Sequence, residues 1–213
     1  MVFSLKERGV RTFFVIFYGI GVVGLLLPLT SPFFMKLIPY TLLLNFVLLV
    51  YFHVGKIDIW TIAVFSIILL TGLAIEIIGV NTGAIFGDYK YGPSLGLKVH
   101  EAPVIIGLNW MLLIYLTASV LEGINVSVYA KILLASALMV VYDLVLEQVA
   151  PRLAMWTWEG NSVPLQNYIS WFVMALIFHS IIRLFGVKTH NPLSVAVLVS
   201  QFIFFVLLFF FLP

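Results

Sequence analysis

The sequence predicts an all-α polytopic membrane bundle of about seven transmembrane helices, and three observations carry that expectation. First, 63% of the residues are hydrophobic and only 9% charged, with a mean hydropathy of +1.18, far from the composition of soluble globular domains. Second, 11 Lys and Arg, 9 Asp and Glu and 4 His are too few polar groups to cover a globule of 213 residues in water, so the bilayer must be the solvent. Third, charged and turn-forming stretches divide the chain into about seven apolar runs, each near the roughly 20 residues that a helix needs to cross a hydrocarbon core of about 30 Å.

The first run, Thr12 to Leu29, follows Lys6, Arg8 and Arg11. That basic start resembles a signal peptide, but no small-residue cleavage site follows near Leu27 to Phe33, so the segment reads as an uncleaved anchor. The second and third runs are Phe34 to Val54 and Ile59 to Val80. The connection from Asn81 to Glu101 contains Asp88, Lys90 and Pro93, which argue against a continuous span and suggest a re-entrant or interfacial segment covering a pocket. The fourth and fifth runs are Ala102 to Leu121 and Val126 to Ala150, followed by the other long connection, Pro151 to Asn167. The sixth and seventh are Tyr168 to Phe185 and Pro192 to Leu212. No internal repeat or Ser/Gly linker divides the chain, so residues 1–213 read as one integral membrane domain.

Lys6, Arg8, Arg11, Lys56, Lys131, Arg183 and Lys188 fall on the N-terminal side of these spans, against Lys36, Lys90, Lys98 and Arg152 opposite. This imbalance places the N-terminus in the cytoplasm of a multi-pass cell-membrane protein and both long connections on the outer side. A net charge of +2 reflects a few loop cations, not a basic surface, and disfavours nucleic acid as a partner. The absence of cysteine removes disulfides, thiolate nucleophiles and Cys-ligated metals from consideration.

Six of the nine acids fall in tails or loops, whereas Glu76, Asp143 and Glu147 lie inside apolar runs. A charged carboxylate at bilayer depth costs at least about 2.5–3.5 kcal/mol, so such a group normally faces the bundle interior, a partner or a water-filled cavity. A neutral carboxyl bonded between helices would be a purely structural explanation for any one of them. The pattern favours chemistry instead: Asp143 and Glu147 are four residues apart and share a helical face. Two carboxylates so close repel when both ionise, which favours one keeping its proton and serving as a donor. The seven-span reading brings Glu76 to the same outer half, where three acids share one pocket.

Aromatics and amides gather at that level: Tyr89, Tyr91, Asn109, Trp110, Trp156, Trp158, Asn167 and Trp171. An interfacial belt explains Trp156 and Trp158 equally well, while Asn167 and Trp171, again four apart, present an amide and an aromatic on one helical face. The series Gly79, Gly83, Gly87, Gly92 and Gly96 permits close approach of helix or loop.

Several chemistries fall away. The seventh run has no lysine for a retinal Schiff base, and Asp143-x3-Glu147 has no second equivalent of the kind that paired magnesium sites in prenyl transfer require. His53, His100, His179 and His190 show no clustered ligand spacing, so no metal is expected. What remains is acid chemistry in an aromatic-lined site open to lipid, which suits protonation of an isoprenoid carbon–carbon double bond to a tertiary cation. Hydration, cyclisation and isomerisation all fit that description.

The stretch Glu76-x2-Gly79-x3-Gly83-x2-Phe86-Gly87-x-Tyr89-x-Tyr91, with Pro103 and Trp110 beyond it, resembles the membrane carotenoid-biosynthesis hydratase family. A second block, Asp143-x3-Glu147-x3-Pro151, then Trp156-x-Trp158, Pro164, Asn167 and Trp171, resembles that family's other characteristic region. The resemblance implies a cofactor-independent 1,2-hydratase that takes an acyclic ψ-end carotenoid of the lycopene, γ-carotene or bacterioruberin-precursor type from the bilayer. It implies a catalytic set of Glu76, Asp143 and Glu147, with Tyr89, Tyr91, Asn109, Trp110, Trp156, Trp158, Asn167 and Trp171 binding substrate. Membrane lipids and other carotenoid enzymes are the expected neighbours. The alternatives are an end-group cyclase or isomerase, and a non-catalytic carotenoid- or lipid-binding subunit or transporter.

Overall fold

Uninterrupted apolar sequence leaves the backbone no hydrogen-bond partner in lipid except itself, and the chain answers with helices. The computed structural model describes residues 5–213; residues 1–4, part of the single unit expected from the sequence, lie outside the described residues. The helices are α1 (Leu5–Leu26), α2 (Ser31–Lys36), α3 (Ile38–Tyr51), α4 (Ile59–Thr82), α5 (Ile105–Val120), α6 (Val128–Val149), α7 (Leu165–Leu184) and α8 (Ser194–Phe211). Short strands β1 (Tyr89–Tyr91), β2 (Lys98–Val99), β3 (Ala102–Pro103) and β4 (Trp156–Trp158) occupy the two long connections. Five helices, α1, α4, α6, α7 and α8, are long and apolar enough to cross a membrane.

Each of the seven apolar runs becomes helical, with three corrections. The first helix begins at Leu5, ahead of the expected Thr12, and takes the basic residues into its opening turns. There the Lys6 ammonium donates to the Tyr51 hydroxyl and the Arg11 guanidinium to the Pro192 carbonyl. The second run is not one span from Phe34 to Val54: the helix breaks at Leu37, leaving α3 with 14 residues. Pro39 is the cause, because its ring has no N–H and would clash with the Met35 carbonyl of a continuous helix. The fourth run starts at Ile105 and not Ala102, because Ala102 and Pro103 pair with Val99 and Lys98 in an antiparallel β2–β3 hairpin. The segment after α4 therefore holds strands and no helix.

With 16 residues α5 is short, yet 13 of them are buried. It packs against α3, α4, α6, α7 and α8, so its length answers to its neighbours more than to lipid. Its approach to α4 is close because glycines face the contact: a Cβ on Gly107 would lie 2.6 Å from the Leu69 carbonyl oxygen, and one on Gly72 2.8 Å from the Trp110 Cβ.

Hydrogen bonds sort the connections to two ends. At one, β1 pairs with β4, and Arg152 reaches the Leu212 carbonyl 2.8 Å away. At the other, Asn191 donates to Tyr115 at 3.0 Å, the Val54 N–H to the His190 carbonyl at 2.9 Å, and Arg183 pairs with Glu122 at 2.8 Å. The helix α4 starts at this second end, where Asp58 caps it by accepting from the Thr61 N–H at 2.9 Å and its hydroxyl at 2.8 Å. Those bonds hold the Asp58 carboxyl below the usual carboxylate range.

Gly107→Ala forces α4 and α5 apart and is expected to cost about 1–3 kcal/mol. The measurement is thermal unfolding in detergent against Gly9→Ala, where a Cβ meets nothing within 4 Å; equal midpoints would show that the close approach is not needed.

Candidate active site

The two three-residue strands explain why Tyr-x-Tyr and Trp-x-Trp occur. They pair antiparallel with Tyr89 opposite Trp158 and Tyr91 opposite Trp156, while exposed Lys90 lies opposite Thr157. Alternation along a strand then sends all four aromatics to one face. Tyr89 meets Trp158 at 5.1 Å and Tyr91 meets Trp156 at 6.1 Å between ring centroids. The ladder extends through the Gly92 N–H to the Met155 carbonyl, 2.8 Å. A Cβ on Gly92 would lie 2.2 Å from the Ala154 carbonyl oxygen, so glycine is required for the strands to meet. Gln166 and Ser170 of α7 fasten the preceding loop by donating to the Ala84 and Ile85 carbonyls.

This aromatic face supplies donors to two buried carboxyl groups. Near the end of α4, Glu76 Oε2 accepts from the Tyr89 hydroxyl at 2.7 Å and the Tyr91 hydroxyl at 2.6 Å, and Oε1 accepts from Trp110 Nε1 at 2.8 Å. On α6, Glu147 Oε2 accepts from Trp156 Nε1 at 2.9 Å and Trp158 Nε1 at 2.7 Å. The Asn167 amide of α7 bridges the same-face pair, donating to Asp143 Oδ2 at 3.0 Å and Glu147 Oε1 at 3.3 Å. Asp143 is fully buried, and its Oδ1 has no hydrogen-bond partner among the described residues. Burial, and next the charge of Glu76, raise the Tyr89 and Tyr91 phenols far above their ordinary range, so both remain protonated donors.

Trp110 and Trp171 stack with centroids 4.4 Å apart, connecting the Glu76 side to the α7 face that carries Asn167. Ten of the residues singled out from the sequence thus come together: Glu76, Tyr89, Tyr91, Trp110, Asp143, Glu147, Trp156, Trp158, Asn167 and Trp171. Asn109 does not join them. It is half-buried on α5 and lines an adjacent apolar cavity of about 140 Å³ together with Tyr18, Tyr142, Leu146, Trp156 and Gln201. The polar side chains of that cavity on α1 and α8 escaped sequence reasoning, because a single Tyr or Gln in an apolar run carries no spacing signal. Among the described residues, no group of three or more His, Cys, Asp or Glu is arranged to hold a metal ion.

Comparison with known proteins supplies a family. The model for carotenoid biosynthesis proteins matches residues 37–212. A bisanhydrobacterioruberin hydratase from Haloarcula japonica is 32% identical over 117 residues, covering 49% of this chain. The match spans only 38% of that relative's own length. No solved structure gives a significant match.

Trp156→Phe and Trp158→Phe each remove one donor from Glu147 while retaining a ring. Each is expected to cost about 1–3 kcal/mol, the usual consequence of leaving a buried polar group short of a partner. Thermal unfolding of the single and double variants measures this, and a double variant as stable as the parent would show that the indole N–H groups do not sustain the buried acid.

Proposed function

The chain belongs to the carotenoid biosynthesis protein family, and from that premise we propose that it is a carotenoid 1,2-hydratase, adding water to the terminal C1=C2 bond of an acyclic ψ-end. The observation that carries this reading is the unequal treatment of three buried carboxyl groups. Glu76 and Glu147 are each surrounded by three N–H or O–H donors, whereas Asp143 has one donor and a free oxygen. Donors on every side stabilise a carboxylate as it forms, which suits a group that accepts a proton and returns it; an oxygen with no donor suits an acid whose proton is available.

In this assignment Asp143 protonates C2 of the alkene, and the positive charge develops at the tertiary C1. The faces of Trp171 and its stacked partner Trp110, with the tyrosines of β1, stabilise that cation. Water attacks C1 while Glu147 or Glu76 accepts its proton, and proton return to Asp143 restores the acid. The residues Trp156 and Asn109 border the adjoining cavity and contact the substrate end. The carotenoid enters from lipid. In this reading α3 and α5 complete seven crossings of the cell membrane, with the N-terminus cytoplasmic and the acids near the outer face.

Reconstituted protein given an acyclic-ended carotenoid is expected to yield a product heavier by one water molecule, without oxygen or reductant. A product of unchanged mass would identify a cyclase or isomerase, and a requirement for oxygen or reductant would sink the hydratase reading. Asp143→Asn and Glu76→Gln are expected to keep membrane insertion and carotenoid binding while losing about 10²–10⁴-fold in turnover, the usual contribution of a general acid or base. Trp171→Ala is expected to reduce turnover less. Full activity of Asp143→Asn would exclude Asp143 as the acid.

A further inference from the structure

The cavity beside the acid cluster has a mixed wall. Most of its lining is Leu, Ile and Phe, but Tyr18, Thr41, Asn109, Tyr142 and Gln201 bring polar side chains to it. Four helices contribute to one hydrogen-bond network there. The amide nitrogen of Asn45, on α3, donates to the Tyr18 hydroxyl at 2.8 Å and to the Thr41 carbonyl at 2.8 Å. The amide nitrogen of Gln201, on α8, donates to the same Tyr18 hydroxyl at 2.9 Å, and Gln201 Oε1 lies 3.4 Å from the Tyr142 hydroxyl of α6.

The network is unbalanced. The Tyr18 oxygen accepts twice. Reversing the Gln201 amide gives the Tyr18 hydrogen an acceptor but turns the Gln201 nitrogen to the Tyr142 hydroxyl, so in either arrangement one phenol hydrogen has no acceptor among the described residues. Asn45 is fully buried and its Oδ1 has no donor. Turning the Asn45 amide over does not help, since the Thr41 carbonyl requires the nitrogen where it is. Asn109 forms no side-chain hydrogen bond among the described residues, and the Tyr142–Gln201 contact is long. A spare phenol hydrogen, the Asn109 amide and the loosely held Gln201 amide line the apolar cavity, with buried Asn45 joined to them through Tyr18, and together they form the complement of water; a hydrocarbon chain satisfies none of them.

We propose that the Tyr18, Asn45, Gln201 and Tyr142 network is a water-binding site that holds the molecule consumed in hydration. The inference rests on the hydratase reading. A substrate entering from lipid fills a pocket with hydrocarbon and displaces water, so hydration requires water held at a fixed place. The network is suitably located: Tyr142 and Gln201 share a cavity wall with Trp156, which donates to Glu147 of the acid cluster. Asp143 gives its proton to C2, the held water donates an electron pair to C1, and a carboxylate takes the water's proton. Without held water, the cation at C1 loses a proton from C2 to a carboxylate and the alkene returns.

That return reaction supplies the test. In heavy water the acid delivers a deuteron, so each abortive cycle can leave deuterium at C2 of unreacted carotenoid. Tyr18→Phe and Gln201→Met, both close in shape to the parent residues, are reconstituted in vesicles with an acyclic-ended carotenoid in heavy water. Hydration and deuterium incorporation are followed together by mass spectrometry. The expected result is about a tenfold fall in hydration, the effect of losing roughly one hydrogen bond, with exchange into substrate maintained or increased. Parent-like hydration by both variants overturns the water site, and so does parallel loss of hydration and exchange, which marks a packing role. Failure of the parent protein to hydrate or exchange overturns the hydratase reading, and the water site with it.

Discussion

Hydrocarbon offers a carboxyl group no hydrogen-bond donor, and this chain buries three carboxyl groups in helices long and apolar enough to cross a membrane. The architecture of the acid-bearing end follows from that scarcity. Lipid cannot supply the donors, so the protein brings them from elements distant in sequence: two phenols from one loop, two indoles from another, an indole from α5 and an amide from α7. The β1–β4 ladder carries four of them on one face and sends Lys90 and Thr157 to the other. A sheet of two short strands is a poor independent unit; here each strand is anchored by the acid it serves.

The acids were legible because an ionisable group in an apolar run is costly enough to require an explanation. Their donors were legible as a population of aromatics at one level, but not as a pairing, since nothing local states that Tyr89 meets Trp158. Helix boundaries failed where backbone chemistry overrode hydropathy, at Pro39 and at the β2–β3 hairpin. Asn109 was grouped with Trp110 because they adjoin in sequence. Successive residues on a helix diverge by about 100°, so Trp110 reaches Glu76 while Asn109 lines the cavity next door. The Tyr18, Asn45 and Gln201 network left no trace in the sequence because its members sit on three separate helices.

The site joins two helical hairpins. The Glu76 side is built by α4, α5 and the loop between them, and the Asp143 and Glu147 side by α6, α7 and theirs. The strand ladder, the stacked Trp110 and Trp171 rings, the Thr117–His179 hydrogen bond, the packing of α5 on α6 and α7, and the latches from Gln166 and Ser170 join those units. Short α5 is the common wall, and the glycines at its contact with α4 let Trp110 sit close enough to serve both sides. The packing of this helix thus governs the geometry of the acid cluster as much as the stability.

The order of the hydrogen bonds along the chain bears on biogenesis. Every donor to the three acids lies C-terminal to the acid it serves: Glu76 precedes Tyr89, Tyr91 and Trp110 by 13, 15 and 34 residues. Glu147 precedes Trp156, Trp158 and Asn167 by 9, 11 and 20, and Asp143 precedes Asn167 by 24. During synthesis each carboxyl group therefore leaves the ribosome before any partner that will satisfy it. The indole donor to Glu76 comes only with α5, and the strand that carries Tyr89 and Tyr91 gains its pairing partner only once β4 has been made. The donor set is complete only after β4 and the first turn of α7 have been made, and a nascent chain stalled before Trp156 holds Glu147 without an indole donor.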